Sequence, residues 1–395
     1  MNYMYQNKLY LMKKNLFLFM GIFFMFGFGF FSSENQIIAS DETMKETVEE
    51  DSIIRVNIIV AGDAMCHSPQ FTHAKKTKGE GYDFSDCFQY LTDILEKGDL
   101  NIVNLETTLA GAPYSGYPQF CAPDEFAVAL KEAGFNFFLL ANNHCADKET
   151  KGTVTTIEKV QNLQIPSAGT YLNEQDRQDR YPAIMEIKGM KIALLNYTYG
   201  TNGLTVKSPV SINYLNDTLQ ISKDLETAKN QNPDMIIAFL HWGNEYEQTP
   251  SDKQKEQARF FFKNGTDIIV GSHPHVIQPV EYFAYDQTDT TKKKLIYWSL
   301  GNLISNQRNP NTDGGIIADF TLAKNKNTNL VQIENHSAIP YWVYKNTSLP
   351  PGYFILPAER FLNDTTFSLS NENRAAFLRF VENTNKIITK NDTIK

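Results

Sequence analysis

The segment VGSHPHVIQPVE, residues 270–281, places His273 and His275 on either side of a proline, directly after the apolar run DIIVGS. An apolar run of this length predicts a buried strand, so both imidazoles are expected where that strand ends. Imidazole is the commonest metal ligand among protein side chains. A structural turn explains His-Pro-His equally well when the segment is taken alone. Its chemistry therefore depends on the residues that other strands bring beside it.

Four other apolar runs also end in a carboxylate, a carboxamide or an imidazole. Open α/β sheets place their binding sites at the carboxyl ends of their strands, so these residues are expected to converge. Singly, each is explained by a turn, a helix cap or packing; as a set they predict a metal site. The residues at these four ends are Asp63 with His67 four positions later, Glu106, the run Asn142, Asn143 and His144, and His241.

The residue types narrow the choice of metal. Imidazole combined with carboxylate and amide oxygens suits divalent zinc, manganese or iron. Two such ions held about 3.5–4 Å apart repel each other and need an anionic ligand between them. Glu106 or Asp63 meets that need. A His-x-His pair can also give one ligand to each ion from an irregular turn, which a central proline stiffens.

Apolar strands and amphipathic helices alternate along the chain and must position these residues. The order strand, helix, strand predicts a sheet with helices packed outside it, and later hairpins make the fold mixed α/β. A hairpin is predicted in YPAIMEIKGMKIALLNYT, turning at Lys188 and Gly189. Strands are predicted in IIRVNIIVAGD, DLNIVNLE, FNFFLLANNH, DMIIAFLHWG, TDIIVGSHPH and four later segments, and helices in CFQYLTDILEKG, PDEFAVALKEAG, TVTTIEKVQNL, LNDTLQISKDLETAKNQ, SDKQKEQARFFFKNG and NENRAAFLRFVENTN.

The composition is that of an ordinary globular protein. Of 395 residues, 42% are hydrophobic, and the net charge is −8. Because no dense Lys/Arg stripe occurs, no nucleic-acid partner is expected. An anionic substrate is still compatible with this acidity, since bound metal ions supply local positive charge. The four cysteines match no zinc-finger spacing and are too few for a fold built on disulfides.

The N-terminus predicts export. Lys8, Lys13 and Lys14 precede the uncharged apolar run 16–31, which is the pattern of a signal or signal-anchor segment. The small residues Ser33 and Ser40 lack a small residue three positions earlier. This favours an uncleaved membrane anchor over residues 1–31 and an extracytoplasmic protein; the alternative is a cleaved signal and a secreted or periplasmic one. An acidic linker is predicted over 32–51, the main domain over 52–339, and a C-terminal segment packed on it over 340–395.

Six segments, taken in order, resemble one known family. Between about Ile54 and Asp319 they resemble the CapA family of poly-gamma-glutamate capsule biosynthesis proteins, whose fold belongs to the calcineurin-like metallophosphoesterases. The resemblance implies a mixed-sheet αββα sandwich of the metallo-dependent phosphatase type. The segments are AGDAMCH, NLETTL, ANNHCAD, HWGNEYEQTP, GTDIIVGSHPHVIQPVE and WSLGNLISNQ.

The resemblance also implies roles for individual residues in a site with two divalent ions. It gives His144 the role of a general acid, or of a donor to developing charge, near the substrate. Glu245 would orient His241, although a carboxylate at a helix start is an equal interpretation. The implied ligands are Asp63 and His275 for the first ion, Glu106 between both, and Asn143, His241 and His273 for the second.

Two departures from the superfamily pattern bear on this assignment. The superfamily begins with Asp-x-His, whereas three residues separate Asp63 from His67 here; His67 is predicted to reach the first ion from a wider turn. The bridging position holds Glu106 where an aspartate is more usual. Asp147 matches the family pattern NNHxxD, and a helix cap is its other interpretation.

Two functional hypotheses follow. The first is an envelope-anchored protein of capsule or exopolymer biogenesis whose two-metal site hydrolyses or transfers a phosphoester or amide-like bond. Its expected partners are an anionic polymer or phosphoester substrate, the membrane and a capsule-synthesis complex. The second is a non-catalytic accessory protein whose pocket binds polymer within such a complex.

Overall fold

The computed structural model describes residues 52–389 except 77–78, 286–287, 289–291, 349–351 and 365. The predicted anchor and linker lie outside these residues. The strands, in chain order, are β1 (Ile53–Ala64), β2 (Leu100–Leu105), β3 (Phe137–Leu139), β4 (Ser167–Ala168), β5 (Thr170–Tyr171), β6 (Ala183–Ile187), β7 (Met190–Thr198), β8 (Ser211–Ile212), β9 (Met235–His241), β10 (Ile268–Ser272), β11 (Val280–Ala284), β12 (Lys293–Tyr297), β13 (Asn302–Ile304), β14 (Gly314–Asn325), β15 (Val331–Asn346) and β16 (Gly352–Pro357).

The helices include five of ten residues or more and several of one or two turns. Within the described part of the chain, none is long and apolar enough to cross a membrane. The helices are α1 (Ser68–Ala74), α2 (Ser85–Phe88), α3 (Thr92–Leu95), α4 (Asp124–Ala133), α5 (Glu149–Asn162), α6 (Glu174–Arg180), α7 (Thr218–Asn230), α8 (Asp252–Lys263), α9 (Ala358–Phe361) and α10 (Asn371–Ile388).

Two mixed sheets form the centre of the fold. The first has the strand order β16-β15-β14-β1-β2-β3-β4, with β13 paired to β1. In it, β1, β2, β3 and β4 run parallel, while β14, β15 and β16 join antiparallel. The second has the order β11-β12-β10-β9-β7-β6, with β7, β9, β10 and β12 parallel. Parallel strands end at one edge, which is where the candidate site residues lie.

The core shows how the layers stack. Ile58 and Val60 of β1 belong to a buried cluster that also contains side chains of the second sheet. Ile59 and Ala61, which point the other way because side chains alternate along a strand, belong to a cluster with the apolar face of α4. Buried residues of α7 and α8 join the cluster shared by the two sheets. The predicted mixed α/β fold, with two sheets between helices, is confirmed.

Local signals in the sequence locate several elements well. The hairpin of β6 and β7 turns at Lys188 and Gly189, with φ of 52° and 82°. Helix α4 ends at Gly134 in the left-handed conformation, as expected for a glycine cap. The predicted helix over CFQYLTDILEKG is instead two short helices, α2 and α3. In the predicted strand FNFFLLANNH, β3 covers only Phe137–Leu139, and Asn136 N and Leu140 N add single backbone hydrogen bonds to Asn101 O and Ala168 O on either side of it.

The C-terminal residues enter the first sheet. Strand β15 runs from Val331 to Asn346 and so continues through residue 339, where the sequence places a domain boundary. Strand β16, which was not predicted, pairs with β15 along the sheet edge. The described residues, 52–389 with the gaps given above, form one compact unit. The predicted boundary remains a prediction, and the described residues on both sides of it share one sheet.

Candidate metal centre

The candidate ligands come from both sheets. In the first sheet, Asp63 lies opposite Asn104 on the neighbouring strand β2, and Glu106 follows that strand's end. In the second, His241 ends β9 and lies opposite Ser272, the last residue of β10. The two carboxyl edges meet, because the backbone N–H of His273 donates to Asp63 Oδ2 at 3.1 Å. Residues 210 positions apart therefore share one buried centre.

Six side chains in this centre form two groups that could each hold an ion. One group contains Asp63, Glu106 and His241, and the other contains Glu245, His273 and His275. Within each group the ligand atoms lie within 4.8 Å of one another. All except Glu245 are buried. The described residues therefore provide candidate ligands for divalent metal ions.

Glu106 lies between the two groups. Its Oε1 atom is 3.8 Å from His241 Nε2 and 3.9 Å from His275 Nε2. These separations are too long for hydrogen bonds. They are close to the spacing of two ligand atoms that each lie about 2.0–2.2 Å from a shared ion. The carboxylate thus lies near an imidazole of each group.

Unpartnered polar atoms give an independent test of whether a cation fits. Both carboxylate oxygens of Glu106 and the Nδ1 atom of His273 are buried and have no hydrogen-bond partner among the described residues. Glu106 is 0% exposed and His273 is 3% exposed. Buried polar atoms without partners are costly, and a buried carboxylate without one especially so. A bound cation satisfies these atoms, so the residues present fit the metal that the family pattern implies.

Polar neighbours fix the orientation of two of the imidazoles, His275 and His241. His275 Nδ1 lies 3.0 Å from Asn302 Oδ1 and 3.3 Å from Asp63 Oδ2. This arrangement assigns the proton to Nδ1 and leaves Nε2 free toward Glu106. His241 Nδ1 lies 2.9 Å from Ser272 Oγ. Such partners hold ligand rings in place and select the tautomer.

Asn143 lies where the resemblance implies. Its Oδ1 atom is 2.9 Å from His241 Nε2, so the amide oxygen and the imidazole nitrogen are adjacent. Its Nδ2 atom donates to Asn202 Oδ1 at 3.3 Å, which turns the oxygen toward His241. The structure therefore brings Asn143 into the centre beside the first group of ligands.

The His-Pro-His turn has an unusual backbone. His273 has a φ of +99° and His275 a φ of +58°. Non-glycine residues seldom adopt positive φ, and such strain tends to persist at functional sites. The turn is held by the bond from His273 N to Asp63 and by the bond from Tyr246 N to Pro274 O at 2.8 Å. It directs both rings toward Glu245 and the buried carboxylates.

Burial dominates the protonation of the centre. Burial and the negative charge of Asp63 raise the pKa of Glu106 well above its usual range. Burial also raises the pKa of Asp63, but the hydrogen bond from His275 and the nearby imidazoles outweigh it, and that pKa falls well below its usual value. Burial lowers the pKa of His241 to about 3 and that of His273 well below its usual value. Neutral imidazoles are the form that binds metals.

His144 is paired with a buried carboxylate. Its Nδ1 atom lies 2.8 Å from Asp147 Oδ2, and the same oxygen accepts from the Phe120 backbone N–H. The residue before α5 is Lys148, and no side chain caps that helix. Asp147 therefore contacts His144 rather than capping the helix. This arrangement turns the other ring nitrogen of His144 away from Asp147, as a proton donor to a substrate requires.

Two predicted residues are grouped differently from the assignment that the resemblance implies. His67 is in neither group of candidate ligands; its Nδ1 atom lies 3.3 Å from Asn306 N and 3.2 Å from Gln70 Oε1. Burial lowers its pKa to about 4. Glu245 is exposed and lies with His273 and His275 in the second group. The implied division of His273 and His275 between two ions differs from this grouping. These assignments remain predictions.

Several residues of the centre were not singled out from the sequence. Asn302 orients His275, and its Nδ2 atom donates to Thr312 O at 2.9 Å. Asn104 donates to Asp63 Oδ1 at 2.7 Å. Tyr199 packs on His273 with ring centroids 4.5 Å apart. Asn302 and Asn104 lie within WSLGNLISNQ and DLNIVNLE, so the segments were recognised although the roles of these residues were not.

The fold and this centre define an α/β protein with a candidate divalent-metal site at the joined carboxyl edges of two sheets. A family model described as bacterial capsule synthesis protein PGA_cap matches residues 57–307. Because this match covers more than half of the chain, the chain belongs to that family. The predicted membership of the CapA capsule-biosynthesis family is confirmed.

Curated relatives carry the same family name. A capsule biosynthesis protein CapA of Bacillus anthracis is 32% identical over 255 residues, which is 62% of this chain and 59% of that protein. A PGA biosynthesis protein CapA of Bacillus subtilis (strain 168) is 28% identical over 318 residues, 78% of each. The match thus spans less than two thirds of the first relative.

Among solved structures, a calcineurin-like phosphoesterase from Bacillus subtilis is similar with a TM-score of 0.44 and 12% identity. The similarity covers 86% of this chain and all of that one. The fold described above rests on strand order and register and not on this superposition.

Proposed function

We propose that this chain is an envelope-associated protein of capsule or exopolymer biogenesis whose centre binds two divalent ions and hydrolyses or transfers a phosphoester or amide-like bond. The family match and the two relatives' names support the role in capsule formation. The proposed substrate is an anionic polymer of the polyglutamate type or a related phosphoester. Anchoring through residues 1–31, with the domain outside the cytoplasm, is part of the proposal.

One observation carries the metal-centre proposal. Glu106 is fully buried, has no hydrogen-bond partner within the described chain, and lies 3.8–3.9 Å from imidazoles of both ligand groups. Such a carboxylate is stable in the charged form only beside cations. Asp63, Glu106 and His241 would hold one ion, while Glu245, His273 and His275 would hold the other. Zinc, manganese and iron fit these ligands.

The chain's own residues have separate tasks in this reaction. Two bound cations supply positive charge that stabilises a developing oxyanion and makes water more acidic. Asp147 keeps the proton on His144 Nδ1 and so holds the ring in one orientation. The remaining nitrogen of His144, when protonated, donates to the leaving group. Asn302 and Ser272 keep His275 and His241 in place.

The decisive experiment measures metal and turnover together. The full-length chain, loaded with manganese, iron or zinc, is assayed for metal content and for hydrolysis of phosphodiester and gamma-glutamyl substrates. We expect about two ions per chain, and turnover that falls about 100- to 10,000-fold in His144→Ala. The His336→Ala variant is the control, because His336 lies on β15 and not in either ligand group.

The outcomes separate the two hypotheses. Bound metal without turnover on either substrate class favours the accessory, polymer-binding role. Turnover indifferent to His144→Ala and to chelators contradicts catalysis by this centre. A chain that binds no metal after loading contradicts both. Recovery of the full-length chain from cytosol, rather than from a membrane fraction, contradicts the anchor.

A further inference from the structure

We infer that Arg308 and Lys345 form an anion-binding subsite beside the metal centre, which takes a carboxylate or phosphate group of the substrate. Contacts among the described residues define the subsite independently of any bound metal. Only the statement that its anion belongs to the metal centre's substrate rests on the proposed function. Nothing in the resemblance assigns a role to either residue.

Asn306 contacts several residues of the subsite. Lys345 Nζ donates to Asn306 Oδ1 at 2.9 Å, and Tyr353 Oη donates to the same oxygen at 2.6 Å. The backbone N–H of Asn306 lies 3.3 Å from His67 Nδ1. A neutral amide thus connects the ammonium group of Lys345 to a histidine at the edge of the metal centre.

Arg308 adds a second cation to the same place. Its guanidinium carbon and Lys345 Nζ each lie 5.8 Å from the ring of Tyr353. Arg308 Nη1 donates to the backbone oxygens of Gln307 at 2.6 Å and Ser305 at 3.5 Å. The other nitrogens of the exposed guanidinium make no hydrogen bond to the described residues. A fork of N–H groups matches the oxygens of carboxylate or phosphate.

Carboxylates do not neutralise this pair. Within the described residues, neither Arg308 nor Lys345 has an acidic oxygen inside the 4.0 Å range of the chain's salt bridges. The carboxylate of Asp313, the acid that most affects Arg308, accepts from Trp342 Nε1 at 2.7 Å. Like charges held together are destabilising unless an anion joins them.

Further contacts show the same excess of positive charge. Burial and the charge of Arg308 lower the pKa of Lys345. Burial and the charge of Lys345 lower the pKa of His73, whose ring lies 5.6 Å from that of Tyr353. The Nδ1 atom of His73 is buried without a partner among the described residues. The subsite therefore offers an anion two cations and, close by, an unsatisfied imidazole nitrogen.

The subsite adjoins the metal centre through two aromatic contacts. The rings of His67 and Phe120 are 4.9 Å apart, and those of Phe120 and His144 are 4.6 Å apart. A polymer with a charge on each unit can thus place one group at the metal centre and another at Arg308 and Lys345. The subsite would select acidic polymers over neutral ones and set their position.

Binding measurements on the full-length chain test this subsite. The probes are a γ-linked glutamate oligomer, inorganic phosphate and, as the neutral control, a glutamine oligomer of equal length. We expect Arg308→Gln and Lys345→Gln each to weaken binding of the glutamate oligomer about five- to tenfold, whereas Lys345→Arg retains it. The matched control is Lys253→Gln, an exposed lysine on α8, which leaves affinity unchanged.

The measurement is made with chelator and again with metal loaded, so that it is separable from the proposed function. The subsite is supported if both variants bind the glutamate oligomer at least fivefold more weakly than the unmodified chain in chelator. Both variants must also take up as much metal as the unmodified chain when loaded. Competition by inorganic phosphate assigns it to phosphate as well as carboxylate; absence of competition restricts it to carboxylates. Equal affinity of the variants and the unmodified chain, or an equal loss in Lys253→Gln, overturns the inference. If the variants lose turnover while their affinity for the oligomer is unchanged, the result concerns only the proposed hydrolysis and does not support the subsite.

Discussion

At the scale of single residues, Glu106 determines whether the centre needs metal. Both of its oxygens are buried without partners in the described chain, so ionising this carboxyl group is costly in metal-free protein and becomes favourable once cations bind. We predict that the Glu106→Gln chain binds less than one metal ion per chain, compared with about two in the unmodified chain. In chelator, the variant is expected to be at least as stable as the unmodified chain, since a neutral amide costs less to bury.

Metal analysis and urea unfolding with and without chelator test this prediction. The control is Glu281→Gln, because Glu281 is a buried carboxylate that accepts a bond from Trp298 Nε1 at 2.5 Å. That variant should lose stability in either condition while keeping its metal content. A Glu106→Gln protein that is destabilised only in chelator would show that the carboxylate is satisfied without cations.

The buried imidazoles predict a pH dependence of stability in metal-free protein. The pKa of His241 is lowered to about 3 and that of His67 to about 4, in both cases by burial. Below about pH 6.5 the unfolded chain binds protons at these positions and the folded chain does not. The stability that these two neutral imidazoles contribute is therefore fully present above pH 6.5, and it is lost as the pH falls toward 4.

From pH 6.5 to 5.5 each of these two groups is expected to remove about 1 kcal/mol of unfolding free energy. Urea titrations in chelator measure this loss in a Glu106→Gln background, where His67→Asn should reduce it by about 1 kcal/mol. Glu106 acts in the opposite sense, because burial raises its pKa, and Glu106→Gln removes that opposing contribution. In the Glu106→Gln chain, stability that does not change across this pH interval would contradict the prediction.

At the scale of elements, the turn after β10 has a strained backbone that directs the rings of His273 and His275 toward the metal centre. His273 has a φ of +99°, which glycine adopts far more readily than any residue with a Cβ atom. We predict that in chelator His273→Gly is more stable than His273→Ala by about 1–2 kcal/mol. Both substitutions remove the imidazole, so the difference isolates the backbone. Thermal unfolding of the two variants measures it, and equal stability would contradict strain at this turn.

A matched pair elsewhere controls for the general effect of glycine. His241 lies in a regular strand, so His241→Gly should be less stable than His241→Ala, because glycine weakens strand interiors. The reversal of order between positions 241 and 273 is the expected result.

The strands that hold the ligands were predictable because their apolar runs are continuous and end abruptly at polar residues. Asp63, Glu106, His241 and His273 each follow such a run, and parallel strands bring those ends together. The partners of these residues were less predictable. Asn302 reaches His275 through strand pairing between β13 and β1, and Glu245 reaches His273 from an irregular segment after β9. Neither contact has a periodic signature in the sequence.

The segment between Asp63 and His67 was also less predictable from the sequence. The spacing between Asp63 and His67 predicts a wider loop from which His67 reaches one ion. In the structure α1 begins directly after His67, and the His67 ring hydrogen-bonds with Gln70 and Asn306. A helix of seven residues carries too weak a pattern to be recognised beside a strand. The position of His67 depends on that helix.

At the scale of the whole molecule, the described residues after position 339 complete the first sheet. Strand β15 crosses residue 339, β16 extends the sheet edge, and α10 packs on β15 through Phe377 and Trp342. Buried side chains of this region include Tyr341, Trp342, Val343, Tyr353, Ile355, Leu356, Phe361, Phe377, Phe380 and Val381. Each contributes about 1.5–3 kcal/mol, so their sum exceeds the net stability of about 5–15 kcal/mol that is usual for a domain.

We therefore predict that a chain ending at residue 339 does not fold cooperatively. Tyr341 adds a local reason, since its hydroxyl donates to the backbone oxygen of Asn302 at 3.0 Å, beside the metal centre. Circular dichroism melting and metal content measure the outcome. The control removes only residues 390–395, and it should keep both the transition and the metal. If the chain ending at 339 melts cooperatively and binds metal, these strands only cover a domain that is complete without them.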